Sequence, residues 1–274
     1  MIAIGALGGS GTRAISEILI QSGMYMGDDL NKSNDNLIFT RLFKNPDWYR
    51  NTSDIEMQKR MSLFKKYMSS NKLSLRDLIT LFSASKSNPI FNSEIAFYFR
   101  LINKFFSKGK DSTNWGWKEP NTQIYMSELL HFFDELKYIH VLRHGLDMAY
   151  SNNKQQLTNW GWKYNIILNG KESKDELAIK QLDYWIESTK NVIEKSKKFN
   201  TRFLLTNHTN FCEHPVSEID KIFKFIGIEV SDRKKQKLYS IPENKGSNDR
   251  YMHKDLSIFD NEKMKFIEDM GFEI

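Results

Sequence analysis

The chain reads as an α/β fold, a parallel sheet flanked by helices, and two observations lead there. Short apolar runs suited to buried strands, Met1-Ile2-Ala3-Ile4, Tyr138–Leu142 and Arg202–Leu205, alternate with long segments of helical periodicity. The first run leads directly into a glycine-rich turn and a helix, the local order of units that cover both faces of a parallel sheet.

Taken in order, the elements follow from spacing and breakers. After Arg13, Ile15, Ile18 and Leu19 recur at helical intervals, and Gly23 is the expected stop. Residues 35–110 read as mainly helical, with Ile38, Leu42, Leu63, Tyr67, Leu78, Leu81, Ile95, Phe99 and Ile102 set among charged residues. Polar breaks at Asn51-Thr52-Ser53 and Ser69-Ser70-Asn71 divide that stretch. Pro120 opens a helix expected over Asn121–Phe132. Tyr138–Leu142 is the strongest inner strand, followed by a turn at Gly145 and another helix. A long amphipathic helix is expected over Asp175–Lys197, a third inner strand over Arg202–Leu205 and a helix over Pro215–Phe225. With five prolines and no long Gly/Ser tract, residues 1–274 read as one domain with 35–110 as a helical insertion.

Residues Gly5 to Arg13 nearly form an ATP-type phosphate loop, G-x-x-x-x-G-K-[ST]. With Gly5 as the first glycine and Thr12 as the final hydroxyl, Ser10 replaces the second glycine and Gly11 replaces the lysine. The fold is therefore P-loop-like, without the cation that reaches the β- and γ-phosphates. Backbone N–H groups and a helix N-terminus still favour an anion. The loop fits a phosphate-like group other than the terminal phosphate of ATP.

Composition narrows the classes. Forty basic against thirty-four acidic residues give a net charge of +6, suited to an anionic ligand, and no basic run with interleaved aromatics suggests nucleic acid. The single cysteine, Cys212, excludes an internal disulfide and a multi-cysteine metal site. No apolar stretch approaches eighteen residues and no leader precedes the first strand, so a cytoplasmic protein is expected. The pentapeptide Asn-Trp-Gly-Trp-Lys occurs at 114–118 and 159–163. Its tryptophans suit either core packing or stacking on an acceptor.

Arg143 ends the Tyr138–Leu142 strand, where open α/β sheets bind ligands, and Ser151 follows eight residues later on the expected helix. A guanidinium and a hydroxyl so placed can converge on one phosphate, which the planar fork of Arg grips bidentately. Gly-Ser-Gly-Thr after a first strand, with Arg and Ser eight apart after a later one, resembles the sulfotransferase family. Its members transfer a sulfuryl group from 3′-phosphoadenosine 5′-phosphosulfate (PAPS). The resemblance implies that Gly8, Gly9, Ser10, Gly11, Thr12 and Arg13 hold the 5′-phosphosulfate, and that Arg143 and Ser151 hold the 3′-phosphate. Trp117-Lys118-Glu119-Pro120 resembles a turn of carbohydrate-type and bacterial members whose lysine lies beside the transferred group. Asn244–Tyr251 resembles their C-terminal Ser…Gly-Arg segment and adds Ser247 and Arg250, with Asp249 where glycine is usual.

One departure matters: many members carry Lys or Arg where this chain has Gly9. Lys118 or Arg13 then takes over stabilisation of the leaving phosphate, and Lys118 is the choice here. Glu119 is the candidate base, with His144, Asp28 and Asp29 as rivals, because neighbours in an extended segment face opposite ways. His140, on the inner strand, reads as a core histidine. The expected activity is sulfuryl transfer to a hydroxyl or amine of a small-molecule or carbohydrate acceptor, without a divalent metal. Acceptor specificity is expected in 35–110 and 152–172. A P-loop kinase or NTPase is the alternative enzyme, and a nucleotide-binding module without turnover is the non-enzymatic one.

Overall fold

The computed structural model describes residues 1–70, 72–86, 95–107, 114–243 and 250–274. The chain starts with strand β1 (Ile2–Ala6), then helix α1 (Thr12–Gln21). A helical stretch follows: α2 (Leu37–Phe43), α3 (Pro46–Asn51), α4 (Asp54–Ser69), α5 (Leu75–Lys86) and α6 (Ile95–Phe106). Next come β2 (Gly116–Lys118), a 3₁₀ turn (Pro120–Tyr125), α7 (Met126–Phe132), β3 (Lys137–Leu142), α8 (Gly145–Ala149) and α9 (Gln155–Trp160). The long α10 (Lys174–Phe199) leads to β4 (Phe203–Asn207). Helices α11 (His208–Glu213), α12 (Pro215–Ile226), α13 (Asp232–Leu238) and α14 (Asn261–Asp269) complete the chain.

The sheet is parallel in the order β2-β1-β3-β4 and flanked by helices, the α/β arrangement expected. Its register fixes the site. Ile4 lies opposite Lys118 and Ile139, Ala6 opposite Val141, and Leu142 opposite Asn207. All four strands therefore end on one edge, and the next residues out are Leu7, Glu119, Arg143 and His208. From β1 the chain crosses first to β2 on one side and then to β3 on the other. The glycine-rich loop thus sits at the switch point, where such sheets bind ligands.

One expectation about a strand needs correction. Among the described residues, Phe203–Asn207 pairs only with β3 and is an edge strand, half exposed along its length. Its apolar run looks like an inner strand, but α11 and α12 cover only part of it. The opposite edge is Gly116–Lys118, a three-residue strand too short to carry an alternation signal. The Pro120 segment is also not one helix, because it turns as 3₁₀ over Pro120–Tyr125 before α7. Glu119 accepts the Asn121 N–H there, tightening the first turn.

Core packing decides the tryptophans. Trp115, Trp117 and Trp160 are buried, stacked or edge-on against Phe64, Phe39 and Tyr49. Of the four tryptophans in the two pentapeptides, only Trp162 keeps partial exposure, beneath the Arg50 guanidinium. The α10 start is fixed by a capping box of Ser173 and Glu176, which satisfies two backbone donors reciprocally. Gly5 belongs to the sheet: a Cβ there would meet the Tyr138 hydroxyl at 2.0 Å. Close packing of the Tyr138 side chain requires that glycine.

Candidate active site

The loop after β1 turns through two left-handed residues, Gly9 (φ 96°) and Gly11 (φ 78°), a region that L side chains adopt at about 1–2 kcal/mol cost. Gly11 has a second constraint, since a Cβ would lie 2.0 Å from His208 Cδ2. Three contacts hold the loop in place. Gln156 donates to the Ala6 carbonyl and accepts from the Gly8 N–H, both at 3.2 Å. Arg143 donates to the Gly9 carbonyl at 2.6 Å. Among the described residues, the N–H groups of Gly9, Gly11, Thr12 and Arg13 have no hydrogen-bond partner, and α1 has no side-chain cap. These donors and the positive end of α1 form an anion cradle.

Gly9, Gly11 and Arg13 form a ridge between two cavities. The larger, of about 450 Å³, is lined by Arg143, His208, Phe211, Cys212 and the Ser240–Glu243 segment. The smaller, of about 230 Å³, is lined by Ser33, Asp35, Lys44, Lys118, Glu119, Asn121, Asn153 and Gln155. Gly8 and Thr12 face the smaller one only, while Ser10 is buried behind the loop.

On the larger side Arg143 is buried and lies 3.6 Å from Asp147. Burial lowers its pKa, against the opposing pull of Asp147, but a guanidinium keeps its charge. The other Asp147 oxygen accepts the Arg250 N–H at 2.9 Å, which brings that expected residue beside Arg143. Ser247 lies outside the described residues. Ser151 is not on the helix after the turn, because α8 ends at Ala149. Its hydroxyl accepts the Asn153 N–H at 3.2 Å, and it lines neither cavity among the described residues. A five-residue helix is too short to carry position 151 back along the sheet.

On the smaller side Lys118 is buried, its ammonium held by Asp35 and the Ser33 carbonyl. Burial lowers its pKa, and Asp35 opposes that shift. Glu119 is buried too, accepting from the Asn121 N–H at 2.6 Å and from its side-chain amide at 2.9 Å. Burial raises its pKa. Lys118 and Glu119 both reach this cavity despite their alternation, because the strand ends between them at the start of the 3₁₀ turn.

The rival bases have structural duties. His144 accepts the Leu146 N–H at Nδ1, donates from Nε2 to the Glu273 carbonyl and stacks on Tyr251. Asp29 pairs with Arg41 and Arg100, and Asp28 holds Tyr67 and Lys104, tying α2, α4 and α6 together. His140 is in the core, where burial pushes its pKa down to about 3.

Three residues escaped the sequence reading. Lys44 reaches the smaller cavity from the end of α2 and donates to Gln155 at 2.7 Å. Gln156 clamps the loop from α9, which no sequence signal marks. His208 follows β4 on the ligand edge of the sheet, and its position after a strand is the signal that could have found it. Burial, with Arg143 adding to it, lowers the His208 pKa to about 4, so the ring is neutral.

An anion cradle at the switch point of a parallel sheet defines the phosphate-loop-like α/β class. A model of the sulfotransferase family matches residues 2–232, and the chain belongs to that family. No curated protein sequence matches it. Among solved structures it is similar to the sulfotransferase domain of the curacin biosynthetic pathway, with a TM-score of 0.55 and 12% identity over 100% of this chain and 98% of that one. The sulfotransferase domain of the Synechococcus PCC 7002 olefin synthase gives 0.48 and 15% over 100% and 95%. Retinol dehydratase, in complex with androsterone and the inactive cofactor PAP, gives 0.40 and 14% over 98% and 78%. The first of these likenesses supports the fold.

Proposed function

We propose that the protein transfers a sulfuryl group from PAPS to a hydroxyl or amine of a small-molecule or carbohydrate acceptor. The observation that carries this reading is the ridge of open N–H donors at Gly9–Arg13 between two cavities, each with its own cation. A 3′-phosphorylated nucleotide fits the Arg143 side, since a buried guanidinium lines a cavity there large enough for a nucleoside. Arg250 joins it across Asp147. The loop donors suit the 5′ phosphate chain, and the Lys118 side suits the acceptor.

PAPS supplies the sulfuryl group in this reading. The chain's own work is positioning and electrostatics, as in phosphoryl transfer. Lys118, with Lys44 and Arg13 nearby, offsets the charge that develops on the leaving phosphate; losing one such contact costs about 10²–10³ in rate. Lys44 and Arg13 compensate for the cation that Gly9 does not supply. Glu119, its pKa raised by burial, takes the acceptor proton, a contribution of roughly 10²–10⁴.

Thermal unfolding with 3′-phosphoadenosine 5′-phosphate, ADP and ATP–Mg²⁺ tests the donor. The 3′-phosphorylated nucleotide at 100 times its Kd should add about 2.7 kcal/mol of stability. A shift with ATP–Mg²⁺ and none with the 3′-phosphorylated nucleotide would sink the reading.

A further inference from the structure

Helices α5 and α6 carry an outward apolar surface that the sulfuryl-transfer reading does not use. On α6, Ile95, Phe99, Ile102 and Phe106 recur at intervals of four, three and four, so they form one stripe along the helix. The two phenylalanines are 62% and 77% exposed. On α5, Leu75 and Ile79 are also exposed. Phe82 of α5 stacks on Tyr98 of α6 with ring centroids 5.0 Å apart, which joins the two stripes side by side.

The stripe is not a frayed edge. The inner face of α6 is anchored by buried Phe97 and Leu101, with the Arg41 guanidinium 3.8 Å over the Phe97 ring. Arg100 and Lys104 turn back to pair with Asp29 and Asp28. A contiguous apolar surface on a soluble face is itself a sign of an interaction site.

Charge selects the partner. Asp77 is paired with Lys66, while Lys72, Arg76 and Lys86 are exposed. A second copy of the chain would set this basic rim against itself. Exposed Phe and Ile along a helix, with Lys and Arg at the margin, is the pattern of helices that lie in a membrane interface and are held by anionic headgroups. We infer that the α5–α6 face docks on an anionic lipid surface, peripherally and without spanning it.

Flotation of the full-length protein with vesicles of phosphatidylcholine alone, or of phosphatidylcholine mixed with phosphatidylglycerol, tests this directly. Binding should require the anionic lipid and weaken as salt rises. Phe99→Gln with Phe106→Gln, and separately Arg76→Glu with Lys86→Glu, should each reduce it by about tenfold or more. Both pairs are exposed, and unchanged thermal unfolding confirms that they fold. Absence of flotation, or equal flotation with both vesicle types, overturns the inference. So does concentration-dependent dimerisation in lipid-free sedimentation that Phe99→Gln with Phe106→Gln removes, because the face would then belong to a second copy. An acidic protein that competes for the face while the vesicles fail to bind overturns it in favour of a protein partner. Nucleotide stabilisation is a separate readout, so failure here leaves the donor assignment standing.

Discussion

The Arg143 side of the Gly9–Arg13 ridge takes its charged groups from strand ends and the turns just beyond them, whereas the Lys118 side borrows from the helical region. Arg143 and His208 follow β3 and β4 and stay within the sheet's own frame. Opposite them, Lys118 follows the same logic, but its partner Asp35 precedes α2 and its neighbour Lys44 ends it. One side therefore has its principal cation set by sheet register. The other exists only when α2 packs on the sheet, which couples the reacting groups to the region expected to choose the acceptor. Binding of nucleotide and transfer to acceptor should respond to different substitutions.

The largest effect expected is on the transfer side. Lys118→Met should lower turnover by about 10²–10³ while leaving affinity for 3′-phosphoadenosine 5′-phosphate within a few-fold. Single-turnover kinetics beside nucleotide titration would show it, and equal damage to both readouts would break the division. Arg143→Ala should do the reverse. Two charge-assisted hydrogen bonds are worth about 3 kcal/mol or more, so preference for the 3′-phosphorylated nucleotide over ADP should fall by about 10²-fold. Unchanged preference would mean that the 3′-phosphate sits elsewhere.

A pH experiment sharpens the same contrast. Burial keeps His208 neutral, with a pKa of about 4 against about 6.5 in an unfolded chain. Over that interval the unfolded chain binds the additional proton first, so stability falls as pH drops from about 6.5 to about 4. The loss is at most about 3 kcal/mol for this group, and His208→Gln should remove it from denaturant unfolding curves. His140 contributes a larger loss over a window reaching down to about pH 3 and serves as the internal comparison. Smallest of all, Gly9→Ala should cost about 1 kcal/mol, because only its left-handed φ resists a side chain and a Cβ there meets nothing within 4 Å. A much larger loss would show that the loop has less freedom than its open surroundings imply.

Much of the site was legible as residue types in sequence. Strand, glycine turn and helix predicted the cradle, and Arg143 and Lys118 were visible as cations beside strands. Ser151 was misplaced because spacing assumes a continuing helix, and α8 stops at Ala149. Gln156 and Lys44 were missed because each comes to the loop from a distant part of the chain, leaving no local pattern, whereas His208 had a signal in its place after β4 that was not read. The three-residue β2 was missed for a different reason: its pairing with β1 is long-range, and its buried tryptophans mimic a turn motif.

Sequence by itself determined what is local: the β1–loop–α1 unit, the αL glycines that only a few residue types tolerate, and a phosphate loop without the ATP lysine. Tertiary structure decided what each charge is paired with. Lys118 acquired Asp35, Glu119 acquired Asn121 and Arg143 acquired Asp147 together with the Gly9 carbonyl. Gly5 was required by the packing of Tyr138. The physical reason is that backbone conformation depends on neighbours in the chain, whereas burial and charge pairing depend on neighbours in space.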